Sequence, residues 1–310
     1  MRYVVTGADG FIASHLVDAL LAAGHEVVAL CRRRSRRDLA NLVSPRDGQT
    51  IVWGDVCHLD TMAEIHGPIE GIYHLAAPVD VAESLRLGVD DGYFYDQIVH
   101  GTENMIEVAD RLKTRLFFMS SSEVYGTPTR TPIREDDAPN PQSPYAIAKL
   151  DAEARVVRYA RRGGEAVIAR AFNSYGPRQT DRAITGKACR WAAERPSEPM
   201  PCGRVDTSRD WTYVDDTVEG LRAVMDRGWN GEVYNLGTGI KHTVLDVIEL
   251  AGVTPMQLQD GEQWRGRAEV VVLQAERAKS FGALGWVPQV SLPDGIQRTV
   301  RWWREYLEGQ

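Results

Sequence analysis

Val4-Val5-Thr6-Gly7-Ala8-Asp9-Gly10-Phe11-Ile12-Ala13-Ser14-His15 is the stretch that sets the fold. Residues 2–6 read as a buried strand, and Ile12, Leu16, Leu20 and Leu21 then recur at helical spacing. Gly7, Gly10 and Ala13 therefore fall on a strand-to-helix turn, in a GxxGxx(G/A) pattern. Glycine permits the tight turn and lets backbone N–H groups approach a phosphate, whose charge the helix dipole favours. Ala13 is tolerated because the third position governs helix–strand packing. The stretch reads as a seat for a dinucleotide pyrophosphate, with Gly7, Gly10, Phe11 and Ile12 as cofactor-binding residues.

Outward from this turn, strand and helix alternate. Gly24 ends the first helix, and residues 26–30 form a second strand. Further strands are predicted near 51–53, 71–75, 115–119 and 166–170, and helices near 94–112 and 144–161. Short apolar strands between helices imply a parallel sheet covered on both faces. The fold class expected is α/β, a Rossmann-like doubly wound parallel sheet whose ligand crevice lies at the strand C-terminal ends. After Asn173 the pattern loosens. Residues 176–210 are rich in Pro, Gly and Arg, with one helix near 182–194. Residues 211–228 read as a helix and 232–236 as a strand. Residues 1–172 are thus expected to bind the cofactor, with the chain returning at about 211–237, and residues 173–310 to form a smaller, interleaved substrate domain.

The end of the second strand carries the cofactor preference. An acidic residue there would bind the adenosine ribose 2′-hydroxyl and repel a 2′-phosphate. This chain has Cys31 followed by Arg32, Arg33 and Arg34. A missing carboxylate beside guanidinium groups suits a phosphate, so the reading favours NADP over NAD. The bland alternative is a solvated basic loop. Asp55, after the third strand, is assigned either to the adenine amino group or to a turn.

Ser143-Pro144-Tyr145-Ala146-Ile147-Ala148-Lys149 puts a tyrosine and a lysine four apart on a predicted helix, and so on one face. A free tyrosine has a pKa of ~10, which a neighbouring ammonium and an oxidised nicotinamide both lower. Ser120, Ser121 and Ser122 follow a strand at the ligand edge, where one hydroxyl can bind the reacting oxygen; helix capping is the competing role. Glu123 follows directly and is a candidate general base. His15, His74 and His100 show no metal-ligand spacing and are assigned to packing.

The 310 residues carry a net charge of -7, with 43% hydrophobic and 25% charged residues. That is ordinary for a globular protein and argues against nucleic-acid or membrane-surface partners. Four widely spaced cysteines without CxxC suit a reducing cytoplasm and give no metal signature. No apolar run approaches the ~20 residues of a membrane span. Met1 directly precedes the first strand, so no signal peptide is expected.

Taken in order, these segments resemble the extended short-chain dehydrogenase/reductases that act on nucleotide sugars. The resemblance spans the whole chain. It rests on the glycine turn, His74-Leu75-Ala76-Ala77, Ser120-Ser121-Ser122-Glu123-Val124-Tyr125-Gly126, the Tyr145/Lys149 pair, Arg170-Ala171-Phe172-Asn173-Ser174-Tyr175-Gly176-Pro177-Arg178, Arg209-Asp210-Trp211, Tyr234-Asn235-Leu236-Gly237 and Leu284-Gly285-Trp286. Within that group it is most similar to GDP-mannose 4,6-dehydratases. The resemblance implies Tyr145 as acid/base, Lys149 as its partner and a nicotinamide-ribose contact, Ser121 as the catalytic hydroxyl, and Glu123 as base. It implies Val56 and Ala76 at the cofactor, and Ser122, Asn173, Arg178, Arg209 and Arg265 (or Arg267) at a nucleotide-diphosphate sugar. The expected reaction is 4,6-dehydration with a bound, recycled NAD(P); the rivals are a 4-epimerase, a UDP-glucuronate decarboxylase and, more distantly, a non-catalytic cofactor-binding regulator. A homodimer is expected through the helices near 94–112 and 144–161, which carry Ile98, Met105, Ile106, Val108, Ala148 and Val156.

Overall fold

Side chains along the central strands alternate between two apolar layers, as the two-residue period of a strand requires. Val4, Ile72, Leu116, Phe118 and Ile168 point into one layer. Tyr3, Val5, Tyr73, Phe117 and Val167 point into the other. The structure is a computed structural model that describes residues 1–32, 41, 46–88, 92–260 and 270–309. Arg33, Arg34, Arg265 and Arg267 lie outside the described residues.

The first half runs β1 (Arg2–Thr6), α1 (Phe11–Ala22), β2 (Glu26–Cys31), β3 (Gln49–Trp53), β4 (Gly71–His74), α2 (Val81–Leu87), α3 (Tyr93–Tyr95), α4 (Gly101–Leu112), β5 (Arg115–Ser121), α5 (Pro144–Arg161) and β6 (Ala166–Ala171). The remainder runs β7 (Asn173–Tyr175), α6 (Ile184–Glu194), β8 (Met200–Cys202), β9 (Ser208–Tyr213), α7 (Val214–Arg227), β10 (Val233–Leu236), β11 (Lys241–Thr243), α8 (Val244–Ala251), β12 (Leu258–Asp260), β13 (Val272–Leu273), α9 (Ala278–Leu284) and α10 (Leu292–Glu308). A single π-helical turn, Asp96–His100, joins α3 to α4.

Seven parallel strands form the main sheet in the order β10-β6-β5-β4-β1-β2-β3. The order reverses between β1 and β4, which opens a crevice beyond their C-terminal ends. A second sheet orders β11-β9-β13 with β7 also paired to β9, and β8 pairs with β12. A separate apolar cluster, including Tyr175, Trp211, Ile248, Ile296 and Trp303, packs there with α6, α8 and α10. Asp210 ties β9 to the turn after β10: its buried carboxylate accepts from the Thr238 N–H at 2.7 Å, the Gly239 N–H at 2.8 Å and the Ala275 N–H at 3.1 Å.

Two expectations are corrected. Residues 211–213 end β9 rather than starting a helix, because Trp211, Thr212 and Tyr213 pair with Asn173, Ser174 and Tyr175 of β7. Aromatic and β-branched residues suit a strand, and the helical pattern proper begins at Val214. The apolar residues named for a dimer face are covered within the subunit. Ile98, Met105, Val108, Ala148 and Val156 are all buried in the layer between α4, α5 and the sheet, with Ile106 packed against it.

Candidate active site

The crevice at the end of β1 is shaped by what Gly7 and Gly10 lack. Gly7 has φ +63, and a Cβ on it would lie 2.9 Å from Cα of Ala76, just beyond β4. Ala76 is thereby held against the turn. Gly10 caps α1 without a side-chain hydrogen bond, and a Cβ there would meet the Gly7 carbonyl at 2.9 Å. Phe11 and Ile12 open α1 immediately after it. Backbone N–H groups at a helix start, with no side chain in front of them, form an anion seat. The residues present therefore fit the pyrophosphate of a dinucleotide.

Behind the turn, the Thr6 hydroxyl accepts from the N–H groups of Leu75 and Ala76 at 3.2 and 3.0 Å and contacts His74 Nδ1 at 2.9 Å. Thr102 donates its proton to the Ile98 carbonyl at 2.6 Å, so its oxygen accepts from His74 Nε2 at 3.2 Å. Burial pushes His74 down to about 3, so it is neutral, and these contacts define a structural strut between β1, β4 and α4. His15 likewise contacts a backbone carbonyl, that of Pro177, at 2.9 Å.

Cys31 is buried at the end of β2, and Arg32 follows with Nη1 donating to Gln97 Oε1 at 3.0 Å. The Asp55 carboxylate accepts from the Cys57 N–H at 2.9 Å, a turn role. The Val56 carbonyl accepts from Asn104 Nδ2 at 2.8 Å, and its side chain fills the space left by Gly101.

α5 begins where Ser143 caps it, accepting from the Ala146 N–H at 3.1 Å, with Pro144 pre-shaped for the first turn. This start aims Tyr145 and Lys149 at β5. Tyr145 is 6% exposed and hydrogen-bonded to Ser121, whose hydroxyl also accepts from the Glu123 N–H at 3.2 Å. Burial pushes the Tyr145 hydroxyl up to about 12; the Ser121 bond opposes this and the Glu123 charge adds to it. Lys149 Nζ donates to the Met119 carbonyl at 2.6 Å and stands 6.0 Å from the Tyr145 ring centroid. Burial pushes Lys149 down to about 7, with Glu153 pulling the other way.

Beside these residues, bordered by Glu123 and Ser143, lies a cleft of about 850 Å³; Ser121, Tyr145 and Lys149 are not among its lining residues. Glu123, Ser143, Asn173 and Arg209 line it, together with Arg86, Arg182, Lys187 and Arg204. Asp80, Glu83 and Asp181 line it as well, and Arg86 pairs with Glu83 and Arg204 with Asp206. Five cations against four carboxylates leave a slight positive excess, which suits an anion such as a diphosphate. Arg182, Lys187 and Arg204 were not identified as site residues from sequence; the basic stretch 176–210 was the available signal. Two predicted substrate residues lie elsewhere. Arg178, at φ +68, pairs with Asp18 of α1 at 2.6 Å and reaches Ser14 at 3.3 Å. Ser122 is buried in a one-turn 3-10 helix and is not among the cleft residues. Ser120 turns inward and donates to Glu153. Among the described residues, no group of three His, Cys, Asp or Glu could hold a metal ion. None of their helices is long and apolar enough to cross a membrane.

The profile of the family "GDP-mannose 4,6 dehydratase" matches residues 4–299. The UDP-glucose 4-epimerase of Mycolicibacterium smegmatis is 34% identical over 330 residues, covering 98% of this chain and 99% of its own. The dTDP-glucose 4,6-dehydratase of Streptomyces griseus is 30% identical over 315 residues, covering 98% and 94%. Among solved structures, DesIV, a dTDP-glucose 4,6-dehydratase from Streptomyces venezuelae with NAD bound, superposes with a TM-score of 0.88 at 28% identity, over 100% of this chain and 98% of that one.

Lys149 gives a stability signature. Its ordinary pKa is 10.5 and its folded value is about 7, so between them the unfolded chain binds the extra proton. Stability then rises with pH in that window, by up to about 1.4 kcal/mol per unit. Urea unfolding should show the stability of Lys149→Met, relative to the parent, falling from pH 7 to about pH 9. A difference that stays constant with pH would contradict the burial of a titrating lysine.

Proposed function

The chain belongs to the GDP-mannose 4,6-dehydratase family and is a nicotinamide-dependent enzyme of nucleotide sugars; we propose that it is a nucleotide-sugar 4,6-dehydratase. The observation that carries this reading is Glu123. It opens on the cleft, on the same turn as Ser121, and its charge acts on Tyr145. In a 4-epimerase that carboxylate would have no proton to move, and a decarboxylase would need a sugar already bearing a carboxylate.

Tyr145 takes the proton of the sugar C4 hydroxyl, with Ser121 hydrogen-bonding the same oxygen. The Lys149 ammonium stabilises the phenolate that must precede this step. When bound, the nicotinamide would supply a hydride acceptor for C4 and a hydride donor for C6. With a ketone at C4, the C5 hydrogen is acidic; Glu123 removes it and passes the proton to the departing C6 hydroxyl, which leaves as water, and a proton from solvent is added at C5 as hydride adds at C6. Gly7, Gly10, Phe11, Ile12, Val56 and Ala76 would hold the dinucleotide, with Asp55 near the adenine, and Asn173, Arg209, Arg182, Lys187 and Arg204 the sugar diphosphate. Arg265 stays in the reading as a substrate contact; Ser122 and Arg178, which do not line the cleft, do not. Residues 1–172, with the return at 211–237, serve the cofactor and residues 173–310 the nucleotide sugar. Cys31, Cys57, Cys189 and Cys202 form no disulfide with one another, which suits a reducing cytoplasm.

In deuterated water the product should carry solvent deuterium at C5, and Glu123→Gln should slow water loss by ~10²–10⁴-fold, the usual cost of losing a general base. An unlabelled product, or full activity in Glu123→Gln, would favour the epimerase.

NADP is the proposed cofactor, because β2 ends on Cys31, followed by Arg32, rather than on a carboxylate. A charge-assisted hydrogen bond contributes ~1.5–3 kcal/mol, so NADP should bind at least about tenfold more tightly than NAD. Equal dissociation constants by calorimetry would reject this.

A homodimer is also proposed, now across the outer surface of α3 and α5, where Tyr93, Tyr95 and Ile147 are exposed. Light scattering at micromolar concentration should give twice the chain mass; the chain mass itself would dismiss it.

A further inference from the structure

Ser120, the first of the three consecutive serines, has no part in the proposed chemistry. It is 3% exposed and donates to the Glu153 carboxylate, which is also buried. Glu153 in turn pairs with Arg170 of β6, whose Nη2 and Nε lie 2.7 and 3.0 Å from its two oxygens. Arg170 continues to the Tyr125 hydroxyl at 2.9 Å, and Tyr125 donates to Asn235 Oδ1 at 2.8 Å. A carboxylate buried on α5 is thus fixed from β5 and from β6.

Its place on the helix gives this anchor a consequence. Glu153 lies one turn beyond Lys149 on the same face of α5, and Lys149 lies one turn beyond Tyr145. Met119, whose carbonyl takes the Lys149 ammonium, precedes Ser120, which takes Glu153. Lysine and glutamate are therefore held by adjacent residues of one strand. The other groups facing Lys149 offer no counter-charge. From β4 comes neutral His74, from β5 the Phe118 ring at 4.9 Å and on α5 the neutral Tyr145, while Arg170 of β6, like-charged, pairs with Glu153.

We propose that Glu153 is a positioning residue that supplies the buried counter-charge keeping Lys149 an ammonium beneath Tyr145. Ser120 and Arg170 hold it there. An ammonium buried without an opposite charge loses its proton, and phenolate formation at Tyr145 would then lose its support. The inference rests on the assignment of Tyr145 and Lys149 as the acid/base pair, not on which reaction follows.

The chain has five lysines, so their side-chain carbons can be labelled and followed by NMR, with Lys149 identified by the signal missing from Lys149→Met. In Glu153→Gln the Lys149 midpoint should fall by about one pH unit, a roughly tenfold lower ratio of ammonium to amine at a given pH. The acidic limb of turnover should move to higher pH. Glu153→Gln leaves Arg170 as a lone buried charge and can fail to fold. Glu153→Gln with Arg170→Gln removes both charges, and its Lys149 midpoint should still lie below that of the parent. A folded variant with an unchanged Lys149 midpoint would overturn the proposal and reduce Glu153 to a packing role. The titration needs no substrate, so a product that proves to be an epimer would leave this test intact.

Discussion

Tyr145, Lys149 and Glu153 follow one another at single-turn spacing on α5, and each meets one of three consecutive residues of β5, namely Ser121, Met119 and Ser120. This docking puts a hydroxyl, an ammonium and a carboxylate inside the protein at a site that must open onto substrate. Each group is costly to bury unless hydrogen-bonded or paired, and β5 supplies a partner for each. The start of α5 fixes the register, because Ser143 and Pro144 fix where its first turn lies. A slip by one residue would rotate all three groups off the strand. The parallel pairing of β5 with β4 then sets this constellation beside the crevice at the C-terminal ends of the paired strands β1 and β4.

The second sheet answers a different demand. In the proposed reading, its cleft must attract a diphosphate while leaving the reactive end accessible. Arg209 is carried on β9 beside Asp210, whose carboxylate gathers backbone donors from the turn after β10 and from residue 275. The charged wall is thereby tied to the same strand order that builds the crevice. Arg182, Lys187 and Arg204 stand around it on the connection and helix between β7 and β9. In the proposed reading, acid/base chemistry and anion binding come from separate layers that meet at Glu123 and Asn173, both of which line the cleft.

Much of this was legible in the sequence, for physical reasons. The glycine turn, the two-residue alternation and the Ser-Pro helix start are local signals, and each marks the element found. Tyr145 and Lys149 were legible because helical spacing alone puts them on one face. The cleft cations were not, because Arg182, Lys187 and Arg204 converge only through tertiary packing of a stretch with weak periodicity. Arg178 sits within the same motif as Asn173, yet its backbone turns it toward Asp18. Ile98, Met105 and Val156 were apolar in the way an exposed dimer face is apolar, and only the packed sheet distinguishes the two. The roles of Ser120 and Glu153 depend on contacts between β5, α5 and β6 that no single segment contains.

The central claim is that Tyr145, Ser121 and Glu123 act in sequence on one sugar, ending in loss of water. Mass spectrometry after incubating the protein and cofactor with a panel of nucleotide sugars tests it most directly. The account predicts a product that keeps its nucleoside diphosphate and has lost the mass of one water. A sugar of unchanged mass and altered stereochemistry, or one that has lost carbon dioxide, would contradict it.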